Sequence, residues 1–66
     1  MEKDYTKTLV GMTKAQATRE LGWWWSCERI SEDGLEEVLR HGINQLYITY
    51  DKNGIVTNVK KGFIII

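Results

Sequence analysis

The chain has no proline, one cysteine, one histidine and no net charge, and each shortage excludes a class of protein. A single thiol, Cys27, rules out an intramolecular disulfide. Cys27 and His41 are too few strong ligands for a four-coordinate zinc site, so a structural metal is excluded as well. Nine basic residues offset nine acidic ones, and they form no basic stripe of the kind that marks a nucleic-acid binder. No segment approaches the ~20 consecutive apolar residues of a membrane-spanning helix. The charged start Met1-Glu2-Lys3-Asp4-Tyr5 lacks the apolar run of a signal peptide. Together with the lone thiol, these features predict a cytoplasmic protein without a nucleic-acid or membrane partner.

Catalytic groups are equally scarce. Glu36 and Glu37 are adjacent, so on a strand or helix they do not face one another, and a solvated charge run is the simpler reading. Cys27 and His41 form a nucleophile–base pair only if the fold joins them. Cys27 lies next to Trp23-Trp24-Trp25, an apolar setting in which thiols are inert. No glycine-rich phosphate loop is present. The expectation is a protein that is not an enzyme and has no cofactor and no metal.

What the chain does have is a hairpin. Between Ile43 and Val59, Leu46, Ile48 and Tyr50 alternate with Gln45, Tyr47 and Thr49, the period of a strand with one buried face. After Asp51-Lys52-Asn53-Gly54, a turn sequence whose last two residues tolerate positive φ, the chain resumes as Ile55-Val56-Thr57-Asn58-Val59. Sixty-six residues make a single domain, 1–66, which buries only about 60% of its unfolded surface. The remaining segments must therefore cover the apolar face of this hairpin.

Residues 1–8 are polar and predict a loose tail, with Tyr5 laid against the body. Thr13 followed by Gln16 is a capping-box pattern, which starts a helix at Lys14. Gly22 supplies its left-handed end, so the helix spans 14–21 with Ala17 and Leu21 on one face. In Trp23-Trp24-Trp25-Ser26-Cys27 a strand would bury Trp23 and Trp25, each covering roughly 150–250 Å², and would leave Trp24 as the surface contact. Residues 32–42 are ambiguous. Leu35, Val38 and Leu39 stand at helical spacing, whereas Asp33-Gly34 and Gly42 mark an exposed loop. Phe63, Ile64, Ile65 and Ile66 form an apolar end that predicts a further strand or a homo-oligomer contact.

Two sets of short motifs, the first spread over about residues 9–62, carry resemblances. Val10-Gly11-Met12-Thr13 with Gln16-Ala17, Ile30-Ser31-Glu32-Asp33-Gly34, Asn44 to Asp51, and Ile55 to Val59 with Gly62 resemble the potato inhibitor I family of serine-peptidase inhibitors. That resemblance implies one helix packed on a small sheet, with an inhibitory loop at 35–42 and a scissile bond between Leu39 and Arg40. Val38, Leu39, Arg40 and His41 would then form the binding loop, and a serine peptidase would be the partner. Where that family has Thr and an acid flanking the scissile residue, Val38 and Arg40 stand here. Gly11 to Gln16, Leu21-Gly22 and Tyr50 to Val56 also resemble the SmpA/OmlA small lipoproteins, which implies a non-inhibitory assembly module using Trp24 and the apolar end.

The sequence thus predicts an α+β domain in which one short helix packs on a small, mainly antiparallel sheet of three to four strands. The strands are expected near 24–31, 43–51 and 55–60, with a long loop, 32–42, between the first two. Its expected function is protein binding.

Overall fold

A computed structural model describes residues 4–64. Of the segment 1–8 expected as a loose tail, residues 1–3 lie outside the described residues, and the described part begins with a helical turn, α1 (Tyr5–Thr8). Two local features order it. The Asp4 side chain accepts from the Thr6 amide at 3.1 Å, and Leu9, immediately after the turn, is fully buried. The helix α2 spans Lys14–Leu21, as the capping box predicts. Thr13 Oγ1 accepts from Gln16 N at 3.2 Å while Gln16 Oε1 accepts from Thr13 N at 3.0 Å. Gly22, at φ 74°, closes the helix by donating to Thr18 O. Ala17 and Leu21 are its buried residues, on the face their spacing assigned.

A 3₁₀ turn, Gly22–Trp24, then leads into four strands: β1 (Ser26–Ile30), β2 (Glu36–His41), β3 (Asn44–Tyr50) and β4 (Val56–Phe63). They form one antiparallel sheet in chain order, β1-β2-β3-β4. The domain is α+β, a short helix on a small antiparallel sheet.

The strand β2 occupies the segment expected as a long loop. The reversal from β1 takes only residues 31–35 because side chains tie it together. Asp33 Oδ1 accepts from Ser31 Oγ at 2.6 Å and from Leu35 N at 2.9 Å, and Ser31 Oγ accepts from Glu36 N at 3.0 Å. Gly34 sits at φ 74° in the turn. These bonds, the Ser31 hydroxyl first, hold the Asp33 carboxyl below its ordinary value. The chain is thereby returned early enough for Glu36–His41 to pair with β1 on one side and β3 on the other.

The β3–β4 turn is the one its residues predict. Asp51 Oδ1 accepts from Asn53 N at 2.8 Å and from Ile55 N at 3.0 Å, and Gly54 takes φ 80°. The segment before α2 closes against this corner: Gly11 N donates to Val56 O and Val56 N to Met12 O, both at 2.8 Å.

One face of the sheet holds the core. Leu39, Leu46, Ile48, Tyr50, Val56 and Val59 pack against Leu9, Ala17 and Leu21, with Tyr5, Met12 and Trp25 half-buried around them. Burial of this apolar surface at ~25 cal/mol per Å² is the main stabilising term. The same face carries one buried acid, Glu37. Its Oε1 accepts from the Tyr50 hydroxyl at 2.8 Å and its Oε2 lies 3.7 Å from Lys14 Nζ, which links the start of α2 to the middle of the sheet. Burial first, and then the bond to Glu37, pushes the Tyr50 phenol well above its usual value.

Candidate functional site

The end of the sheet that carries the β2–β3 turn gathers the aromatic residues. The 3₁₀ turn is the cause: it rotates Trp23 and Trp24 out of strand register before β1 begins. Trp23, expected in the core, is therefore 82% exposed, and Trp24 is 58% exposed. Their rings stack with centroids 4.2 Å apart and an interplanar angle of 21°. Trp25 alone turns inward and is half-buried.

His41, at the end of β2, joins these rings to the rest. Its ring lies 6.0 Å from Trp24 and 5.6 Å from Trp25, and Trp25 meets Tyr5 edge-on at 6.2 Å. The result is a continuous row, Trp23–Trp24–His41–Trp25–Tyr5, with a cleft between Tyr5, Trp24, Trp25 and His41. Apolar side chains extend it across the sheet end. Asn44 pairs with His41 on one side and Phe63 on the other, and Phe63 is exposed. Ile43 is exposed too, and its carbonyl accepts from Ile64 N at 2.8 Å. Of the apolar end singled out in the sequence, Phe63 closes β4, Ile64 is half-buried, and Ile65 and Ile66 lie outside the described residues.

The four residues expected on a binding loop are split. Val38 and Leu39 are each 8% exposed on opposite faces of β2, Leu39 inside the core. Arg40 is exposed; its Nε donates to Gly42 O at 2.9 Å and its guanidinium lies 3.8 Å from Glu28. Only His41 reaches the aromatic row. The Leu39–Arg40 bond sits inside a paired strand rather than on a protruding segment. Trp24, the single contact expected at the surface, is in the middle of the row; Trp23 is the member the sequence pattern misplaced.

Cys27 is exposed on β1, where its thiol donates to Arg29 O at 3.8 Å, and no hydrogen bond joins it to His41. Among the described residues no group of three or more His, Cys, Asp or Glu side chains is arranged to hold a metal ion, and no helix is long and apolar enough to cross a membrane.

The fold and its aromatic end define a small α+β domain with an apolar surface at one edge. No protein-family model, no curated protein and no solved structure matches the chain.

Proposed function

We propose that this chain is a small, non-enzymatic protein-binding domain whose contact surface is the aromatic end formed by Trp23, Trp24 and His41, flanked by Ile43 and Phe63. The observation that carries the reading is the exposure of two stacked tryptophans, Trp23 and Trp24, at one end of the sheet. Adjacent large apolar side chains left in water mark interaction surfaces, and tryptophan is among the residues that dominate binding energy when a partner covers it. The stacked pair is also preorganised, since each ring limits the rotamers of the other, which lowers the entropy lost on binding.

The burial of Val38 and Leu39 favours this surface over presentation of Leu39–Arg40 to a peptidase. A peptidase would have to open the pairing of β2 with both its neighbours before reaching that bond.

The test compares the wild-type chain with Trp23→Ala/Trp24→Ala in affinity capture from a cell lysate, with circular dichroism to confirm both are folded. A partner held by the wild type and lost by the double variant supports the reading; one held equally by both overturns it. Incubation with subtilisin and chymotrypsin provides the second arm. Tight inhibition with an intact Leu39–Arg40 bond would overturn the aromatic-end reading in favour of a peptidase inhibitor, whereas resistance without inhibition agrees with a closed β2.

A further inference from the structure

The face of the sheet turned away from α2 carries a different arrangement, which the aromatic end does not use. No described helix covers it. The register aligns Arg29 with Val38, Val38 with Tyr47 and Tyr47 with Lys60, so these four residues form one straight row across all four strands. A bulge in β1 between Cys27 and Arg29 is what brings Arg29 onto this face beside Val38. The row forms the floor of a shallow open cleft whose walls include Ser31, Glu36, Thr49 and Asn58.

Tyr47 is held flat in the middle of the row. A Cβ on Gly62 would lie 2.7 Å from Tyr47 Cε2, so the bare glycine backbone is what lets the ring lie down. The hydroxyl is tethered as well. It donates to Gln45 Oε1 at 2.9 Å, Gln45 Nε2 donates to Glu28 Oε1 at 3.2 Å, and Glu28 faces Arg40 at 3.8 Å. One face of the ring is thus pressed on the sheet and the other is open, leaving the residue 40% exposed.

The charges on this face are sorted. Arg40 is engaged by Glu28 and Gly42. Arg29 and Lys60, at the two ends of the row, have no ion-pair partner among the described residues, and both are exposed. They are three strand spacings apart, about 14 Å at ~4.8 Å per spacing, with the open aromatic ring between them. The neutral total of the chain therefore conceals three cations, Arg29, Arg40 and Lys60, against two carboxylates, Glu28 and Glu36, on this one surface.

From this arrangement we infer that the uncovered sheet face binds a short stretch of single-stranded nucleic acid, with one base stacked on Tyr47 and phosphates on either side held by Arg29 and Lys60. An open ring takes any base, because every base has a π-face, and flanking cations follow the backbone. A free nucleotide engages only one of the two cations, so the strand binds more tightly. Glu36, two residues from Val38 and beside Thr49 on the same face, disfavours a second phosphate there and keeps the site short.

The experiment is an NMR titration of the full chain with a thymidine hexanucleotide and, in parallel, with thymidine monophosphate. The expected result is amide shift changes at Arg29, Val38, Tyr47 and Lys60 with the hexanucleotide. Tyr47→Leu, which removes the stacking surface, should weaken binding at least about fivefold. Arg29→Ala/Lys60→Ala alters only exposed side chains and keeps the test valid if the tyrosine variant is unstable. Two phosphate contacts predict about sevenfold weaker binding when salt is raised from about 50 to about 200 mM. No shift at millimolar hexanucleotide overturns the inference. So do shifts confined to Trp23, Trp24 and His41, or an affinity that neither variant changes. Equal affinity for the monophosphate would show a free-nucleotide site and overturn the single-strand assignment.

Discussion

The two faces of the sheet are built from alternate residues of the same strands, yet they differ in almost every physical respect. On the helix side, Leu46 and Ile48 are at most 1% exposed and sit in an apolar cluster that also carries the Glu37–Tyr50–Lys14 link. On the other side, Tyr47 and Thr49, their immediate chain neighbours, are flanked by Arg29, Lys60, Glu36 and Asn58. In so small a domain a single sheet face supplies nearly all of the core. The opposite face is released from that duty, and its side chains are free to be arranged for contact with something else.

The sharpest way to test this division is to truncate neighbours that point in opposite directions. Leu46→Ala should cost about 2–5 kcal/mol, because the site is fully enclosed and cannot collapse. That is comparable with the whole stability of many small domains, so thermal melting should show a variant largely unfolded. Tyr47→Leu, one residue along, should cost about 1 kcal/mol and stay folded. Equal losses would show that the uncovered face is a second core.

An effect smaller than that of Leu46→Ala is expected elsewhere on the helix side. Tyr50→Phe keeps the ring but leaves Glu37 buried without its hydroxyl donor, at a cost of about 1–3 kcal/mol in chemical denaturation. The same bond gives a pH signature. Because the folded state raises the Tyr50 phenol above its ordinary value of 10.0, its contribution is complete below about pH 10 and is lost as pH rises from there. The wild type should therefore lose stability more steeply in alkali than Tyr50→Phe, as read from melting temperatures between pH 8 and 12. Parallel curves would remove the Tyr50–Glu37 bond from the account. The smallest change is expected at Gly62. Gly62→Ala should cost less than about 1 kcal/mol, since an exposed ring can lift. It should nevertheless raise the solvent accessibility of Tyr47, which nitration of the phenol would detect.

The sequence revealed most where local chemistry decides the structure. Thr13 and Gln16 form reciprocal bonds that need no tertiary partner, and α2 starts and stops at the residues they and Gly22 indicate. The alternation in β3 was readable because one of its faces is apolar. In β2 that contrast is absent: Glu37, Val38 and Leu39 are all buried, on alternating faces, one of them an acid, so no two-residue period exists to be read. Its position depends on the Ser31–Asp33 turn, whose bonds become visible only when the chain is folded. Trp23 was misplaced for a related reason. The parity of β1 does not hold back through Gly22–Trp24, which make a 3₁₀ turn, and one turn of helix is enough to reverse which way a ring points. The aromatic end was thus partly legible: Trp24 and His41 were both readable as contact residues, His41 on a segment expected as a loop that is in fact β2, while Trp23 was not.

The strand order has a consequence for how the chain reaches this state. Each strand's partner in the sheet is its neighbour along the chain, and the connections between them are short. Hairpins of this kind close with little loss of chain entropy, so pairing can begin at any of the three turns and spread by one strand at a time. A distant event is the docking of residues 11–13 against Ile55 and Val56, which holds α2 on the sheet. The folding barrier should accordingly lie at that docking step, with Thr13 and Val56, rather than the turns, setting the rate.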